Sequence, residues 1–350
     1  MRLNDKGLWL SRLDATNAVG DELSWGGSYN AFPERRGTMA TRSAIHISRD
    51  RFHLAWDPAI PAIETVRSGA EVEFDLLDAS GGQLTSSSTV ADIATLDFSR
   101  VDQVNGPIAV EGAAPGDVLQ VDLLSFEPAG WGWTACIPGF GLLADDFPDP
   151  AYRVTAIPGP GKRAEFLPGV RLPVVPFCGE LGVAPATGPL STIPPDIHGG
   201  NMDTRHLTAG ATLFLPIFNE GAKFSIGDGH AAQGDGEVCG TAIETPMRAV
   251  VRLSVRKDLP IRAPEFLTAD GAAAEVPVGR RYATDGIGPD LLSAARDAVR
   301  RMIDWLGREH GIAPIDAYML CSVGVDLRIS EIVDMPNYVV TAHCPLAIFR

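Results

Sequence analysis

The clearest alternation of apolar and polar positions in the first third of the chain is "GAEVEFDLLD", Gly69 to Asp78. There Val72, Phe74 and Leu76 alternate with Glu71, Glu73 and Asp75. A period of two with the apolar residues on one side predicts a strand with one buried face. "GPIAVEGAAPGDVLQVDLLSFEP" predicts two more strands, separated by a turn at Ala114-Pro115-Gly116-Asp117. "ATLFLPIF" and "MRAVVRLSVRKD" continue the β pattern. The period changes only late. In "GPDLLSAARDAVRRMIDWLGREHG", Leu291, Leu292, Ala295, Val299, Met302, Ile303 and Leu306 recur at steps of three and four. That predicts a helix with Pro289 in its first turn and Gly307 or Gly311 at its stop. "AYMLCSVGVDLRISEIVD" follows as a short buried segment and then a strand.

These elements predict a mostly β protein with an α+β portion. Residues 1–50 show little pattern and read as an N-terminal extension. Residues 51–155 read as a β portion, and 156–350 as the α+β portion, with the boundary in the proline-rich stretch near Pro148 to Gly161. Composition agrees. Hydrophobic residues make up 45% and charged residues 21%, and 37 Gly with 27 Pro favour short strands and tight turns. The formal net charge of −15 argues against nucleic acid and anionic membranes as partners. No apolar run is long enough to span a bilayer, and a cytoplasmic protein is expected. Five widely spaced cysteines without a CxxC pattern read as buried free thiols.

The chemistry concentrates in two glycine-rich stretches. "SIGDGHAAQGDGEVCG", Ser225 to Gly240, carries two Gly-Asp-Gly tripeptides and one histidine. A dinucleotide fingerprint fails, because the glycine-rich acidic sequence that follows does not extend a helix. An EF-hand fails on ligand spacing, although an irregular calcium loop stays open. A transition-metal site needs imidazole and carboxylate close together, and Asp228 and His230 supply both. A plain His–Asp hydrogen bond in a turn would explain the same pair. The second stretch, "PPDIHGGNMDTRH", gathers Asp196, His198, Asn201, Asp203 and His206 around Gly199-Gly200. It is either a polar surface loop or the other half of a site. The β-like segment between the two stretches can bring His198, Asp203, Asp228 and His230 to one end of a sheet.

Together these stretches resemble the acetamidase/formamidase family of short-chain amide hydrolases. The blocks that carry the resemblance are "HGGNMD", "LFLPI" and "GAKFSIGDGHAAQGDGEVCGTAIE", with "DASGGQ", "WGWTACIPGFGLL", "PFCGELGVAPATGPLSTIPP" and "AYMLCSVGVDLRIS" in the same order. The match covers roughly residues 50–350. It implies a jelly-roll-like β-sandwich plus a smaller α+β domain, hydrolysis of small carboxamides to carboxylate and ammonia, homo-oligomers (dimer or higher), and a divalent metal, zinc before calcium.

An amide is a poor electrophile, and a metal can polarise its carbonyl and lower the pKa of water. His198, Asp203, Asp228 and His230 are the expected ligands, with Asp78 in reserve. Glu111 and Glu237 are the expected proton carriers. Asn201 or the amides of Gly199 and Gly200 would stabilise the oxyanion. Trp131, Trp133 or Phe140 would wall a small acyl pocket. Three rivals remain. The first is a thiol amidase using Cys239, with Cys136 as a second candidate. The second is a hydrolase of cyclic amides. The third is a non-catalytic metal- or sugar-binding β module.

Overall fold

The computed structural model describes residues 45–269, 279–333 and 335–349. The proposed N-terminal extension lies almost wholly outside the described residues.

One six-stranded sheet runs in the order β1 (Ile45–Ile47), β4 (Ala70–Leu76), β15 (Met247–Arg256), β6 (Val118–Pro128), β13 (Thr212–Pro216), β16 (Glu265–Leu267). A second runs β12 (Gly199–Asn201), β11 (Phe177–Gly182), β14 (Phe224–His230), β5 (Val104–Val110), β2 (Phe52–His53), with β3 (Glu64–Val66) parallel to β5. Smaller ribbons pair β7 (Trp131–Cys136) with β8 (Ala151–Ala156), and β9 (Arg163–Leu167) with β10 (Val170–Pro173). A three-stranded sheet, β17 (Arg281–Gly288), β19 (Tyr338–Pro345), β18 (Asp326–Glu331), packs with α2 (Leu291–His310) and α3 (Pro314–Gly324). A short α1 covers Val90–Ile93.

The two large sheets bury one core between them. The alternating residues of β4 point into it: Val72, Phe74 and Leu76 are fully buried, and Phe74 meets Phe224 of the second sheet edge-on at 6.3 Å. Glu73, on the polar side of the pattern, is also buried, beside His46 of β1 at 3.3 Å. Strands β13 and β15 pair with β6 and β4, so the first sheet runs across the division drawn at residue 155.

Helix α2 spans the expected residues, but Asp290 rather than Pro289 begins it. The Asp290 side chain accepts from Ser293 N, and Gly311 ends the helix at φ 65°. Its buried stripe runs through Ala294, Ala298, Val299, Met302 and Leu306, while Leu292 faces solvent. The small residues face inward because β17 lies against them. A Cβ on Gly286 would sit 1.8 Å from Ala294 O.

Candidate active site

Strand β14 carries Asp228 and His230 two residues apart, which in a strand places both on one face. Its neighbour β11 sets Phe177 opposite His230 and Glu180 opposite Gly227; β12 sets Asn201 on the other side of Glu180. The His230 ring stands edge-on to Phe177 at 5.0 Å. Gly227 and Gly229 are required by their neighbours. A Cβ on Gly227 would lie 2.4 Å from Gln103 O, and one on Gly229 would lie 2.6 Å from Thr245 O.

His230 Nε2 is 3.0 Å from Asp228 Oδ2, 3.0 Å from Glu244 Oε2 and 3.9 Å from Glu237 Oε1. Glu244 arrives through a bridge to His230, and its other oxygen accepts from Ala242 N at 2.7 Å. Asp203 enters from the turn after β12, where Met202 N and Asp203 N both approach Gly179 O. The space into which these groups converge exists because residue 179 is glycine. A Cβ there would lie 2.2 Å from Asp228 Oδ2, 2.3 Å from Asp203 Oδ1 and 3.1 Å from His230 Cε1. Asp203, Asp228 and Glu237 all hold left-handed backbone, at φ 46°, 56° and 41°. Such strain in non-glycine residues clusters at functional sites.

On the far side of the ring, Gln233 Nε2 donates to Asp203 O at 2.8 Å, so its Oε1 must accept from His230 Nδ1, also at 2.8 Å. One buried amide thus ties both ligand-bearing segments together and directs the Nε2 of His230 toward the carboxylates.

The cluster is rich in acid. Burial raises Asp203 to about 7, with Asp228 adding to the shift. Burial, opposed by His230, raises Glu244 to about 8. Glu237 rises well above the usual carboxylate range through burial and Asp203. Glu180 and Asp102 rise likewise, through burial and the surrounding carboxylates. Burial would raise Asp228 too, but His230 holds it below its ordinary value. Burial opposes the charge on His230, and Asp228 with Glu244 overcomes it. Two groups bring three donor atoms within 4.8 Å of one another: Asp228, His230 and Glu244, fully buried, and Asp203, His230 and Glu237, partly open. Among the described residues Asp203 Oδ1 has no hydrogen-bond partner, and Glu244 Oε2 has only its contact with His230 Nε2. Excess buried carboxylate beside one imidazole, with uncommitted oxygens, fits a divalent cation.

Of the residues singled out in the sequence, Asp203, Asp228, His230 and Glu237 come together. His198 joins neither group; it is buried, packs edge-on to Trp56 at 5.2 Å, and has no hydrogen-bond partner at either nitrogen among the described residues. Asn201 flanks Glu180, with its Oδ1 unpartnered. Gly199 N donates to Asp196 O, so it is not available to an oxyanion. Glu111 is not brought to the site. Val104 pairs with Gly227, and Glu111 lies seven residues further along, about 20 Å at the strand rise. There its exposed side chain faces Arg67. Asp78 is buried elsewhere, accepting from Trp133 Nε1 at 3.0 Å and Ser80 N at 3.0 Å. Trp131 and Trp133 belong to a hydrophobic core, and Phe140 is exposed beside Gly240.

Cys239 is fully buried, with its Sγ against Ala135 O and Thr241 O. Burial works against its ionisation, and hydrogen bonds from Cys136, Ser322 and Thr241 bring the thiol down to about 7 while Cys136 is pushed up. No histidine or carboxylate hydrogen-bonds to it among the described residues. Asp235, in the second Gly-Asp-Gly, lies 3.9 Å from both Arg205 and His206, and its carbonyl accepts from Leu327 N. It ties the loop to β18.

Sequence reasoning missed Glu244, Glu180, Asp102, Gln233 and Gly179. Gln233 had a signal, three residues after His230 in the same stretch. The others are assembled by strand pairing, which leaves no local pattern.

A histidine set among buried carboxylates at a sheet end is the equipment of a hydrolytic enzyme. The comparisons name the family. Residues 39–191 and 186–350 match the sequence profile of the Acetamidase/Formamidase family. The chain belongs to this family and is an amidase. A putative formamidase of Schizosaccharomyces pombe is 29% identical, over 89% of this chain and 95% of that protein. The formamidase of Methylophilus methylotrophus is 27% identical, over 86% and 90%. Among solved structures, a gamma lactamase from Delftia acidovorans superposes with a TM-score of 0.79 at 27% identity, over 86% of this chain and 90% of that one.

Proposed function

We propose that the His230 centre hydrolyses small aliphatic carboxamides, formamide- and acetamide-like, with a divalent cation bound there. Asp228, His230 and Glu244 would hold the cation, and Asp203 and Glu237 would face the reaction. The observation that carries this reading is the convergence of His230 Nε2 with Asp228 Oδ2 and Glu244 Oε2 at 3.0 Å, over a glycine that leaves room for nothing larger. A mixed imidazole–carboxylate donor set suits zinc or another first-row ion better than calcium, which takes oxygen ligands.

When bound, the cation supplies Lewis acidity, polarising the amide carbonyl and making water acidic near neutrality. The protein's own groups do the rest. Gln233 orients His230. Glu237, among the more open of the carboxylates, takes the proton as water adds to the carbonyl carbon. It returns that proton to the nitrogen as the C–N bond breaks, so carboxylate and ammonia leave. Asn201 stands one strand away as a donor to the oxygen that becomes negative.

Glu237→Gln tests the proton role. It should lower kcat by about 10²–10⁴ while the protein still binds its cation; an unchanged kcat would remove Glu237 from the mechanism. A cyclic amide is the second reading, supported by the likeness to the Delftia protein. Ring opening breaks the same bond, and ammonia release against lactam opening separates the two substrates. The jelly-roll-like arrangement and homo-oligomeric assembly go with the family resemblance. Within the described residues, no helix is long and apolar enough to cross a membrane.

A further inference from the structure

A second set of polar groups, led by Trp56 and His198, lies around Gly182 and Gly200 beside the hydrolytic centre. On β11 and β14 the inward positions are Cys178, Leu181, Ile226 and Gly229; the first three belong to the core and Gly229 abuts Met247. A Cβ on Gly179 would instead meet the Asp203 and Asp228 carboxylates. The Trp56 indole lies over Gly182, where a Cβ would meet its ring at 2.9 Å. Trp56 and His198 are each only 1% exposed, and among the described residues neither Trp56 Nε1 nor either nitrogen of His198 has a hydrogen-bond partner. Both point into the space above Gly200. A Cβ there would lie 3.4 Å from Trp56 Nε1 and 3.5 Å from His198 Nε2. Asn201 Oδ1, on the next residue, is unpartnered as well.

A buried indole N–H without an acceptor costs about 1–3 kcal/mol, and Trp can only donate. The group that completes this space must therefore offer an acceptor oxygen. Trp56 is held firmly for the task. Its backbone exchanges hydrogen bonds with Leu190, and its ring sits between His198 and His53.

We propose that Trp56 Nε1 and His198 form a second substrate subsite, which binds an oxygen on the acyl chain of the amide. The spacing sets the kind of substrate. Gly200 is level with Leu181, two residues along β11 from Gly179 and one strand across. That is about 8 Å from the hydrolytic centre at ordinary strand spacings. With a hydrogen bond at each end, the oxygen falls roughly three carbons beyond the reacting carbonyl. The substrate class is thus short amides carrying a terminal hydroxyl or carbonyl, rather than purely alkyl amides. His198 then serves the substrate and not the cation. This inference rests on the amidase reading of the His230 centre.

The test compares kcat/KM for 4-hydroxybutanamide and pentanamide, which differ by a hydroxyl in place of a methyl, in the wild type, Trp56→Phe and His198→Phe. The ratio is taken within each protein, so partial unfolding cancels. The wild type should prefer the hydroxyl compound by at least about fivefold, and Trp56→Phe, which removes the N–H and keeps an aromatic ring, should bring the ratio toward one. His198→Phe should lower it too. A wild type with no preference overturns the subsite, and so does a Trp56→Phe enzyme that discriminates as strongly as the wild type. Absence of turnover on every amide, formamide included, would instead overturn the amidase reading.

Discussion

Gly179→Ala tests the geometry of the centre with a single carbon atom. The new Cβ would appear 2.2 Å from Asp228 Oδ2 and 2.3 Å from Asp203 Oδ1. Carbon and oxygen at that distance must separate by about 1 Å to reach ordinary contact. Neither carboxylate can swing away freely, because Asp228 is held by His230 and Asp203 sits on a left-handed residue tied to Gln233. The backbone at 179 is not in the left-handed region, so alanine itself adds no main-chain strain there. A displacement of about 1 Å in a reacting group can cost about 10² in rate, equivalent to about 2.7 kcal/mol of transition-state stabilisation. The overpacking would cost about 1–3 kcal/mol of fold stability, less than a typical domain's reserve of about 5–15 kcal/mol. Steady-state ammonia release from formamide, a cation titration and a circular-dichroism melt on the same preparation are the assays. A folded variant should lose about 100-fold in kcat/KM and bind the cation more weakly. A folded variant within about threefold of the wild type would mean that Asp203 and Asp228 do not act at one point, and the site as described would be wrong.

Other perturbations have defined outcomes. Gln233→Leu leaves His230 Nδ1 and Asp203 O without their 2.8 Å partner. It should weaken cation binding about 10–100-fold, read by chelator competition. Cys239→Ala should leave most of the amide turnover intact, and Glu111→Gln should leave all of it; a dead Cys239→Ala enzyme that still folds would restore the thiol mechanism. In cation-free protein, Asp203 is raised from 3.8 to about 7 and Glu244 from 4.5 to about 8. The folded state then holds protons that the unfolded state has released, so these two groups make stability fall as pH climbs from about 4 to about 8. Thermal melts of chelated protein should show that decline, with the gain from added cation largest at the alkaline end; a melting temperature that rises over this range would contradict the assigned environments.

The strands and the helix were legible because their signal is local. Val72, Phe74 and Leu76 announced a buried face, and the three- and four-residue steps after Gly288 announced α2. The helix start was misplaced because a proline before the cap and a proline within the first turn look alike in sequence. Half of the centre was legible for a similar reason. Asp203, Asp228, His230 and Glu237 sit in two dense polar stretches, where so many buried polar groups need a common purpose. The rest was hidden by pairing. Glu244 reaches His230 through an isolated bridge, Glu180 meets Gly227 across β11 and β14, and Gly179 matters for what it lacks. Glu111 differs in the opposite sense: it follows a strand that pairs with β14, yet the length of β5 carries it away from the site.

The central claim is that amide hydrolysis occurs at the His230 centre and depends on a divalent cation held there. The most direct measurement is ammonia release from formamide by chelator-treated enzyme, before and after return of zinc, with Asp228→Asn in parallel and metal content read by elemental analysis. The account predicts that turnover disappears with the metal, returns when zinc is restored to the wild type, and does not return in Asp228→Asn. Full turnover by protein shown to be metal-free would contradict it.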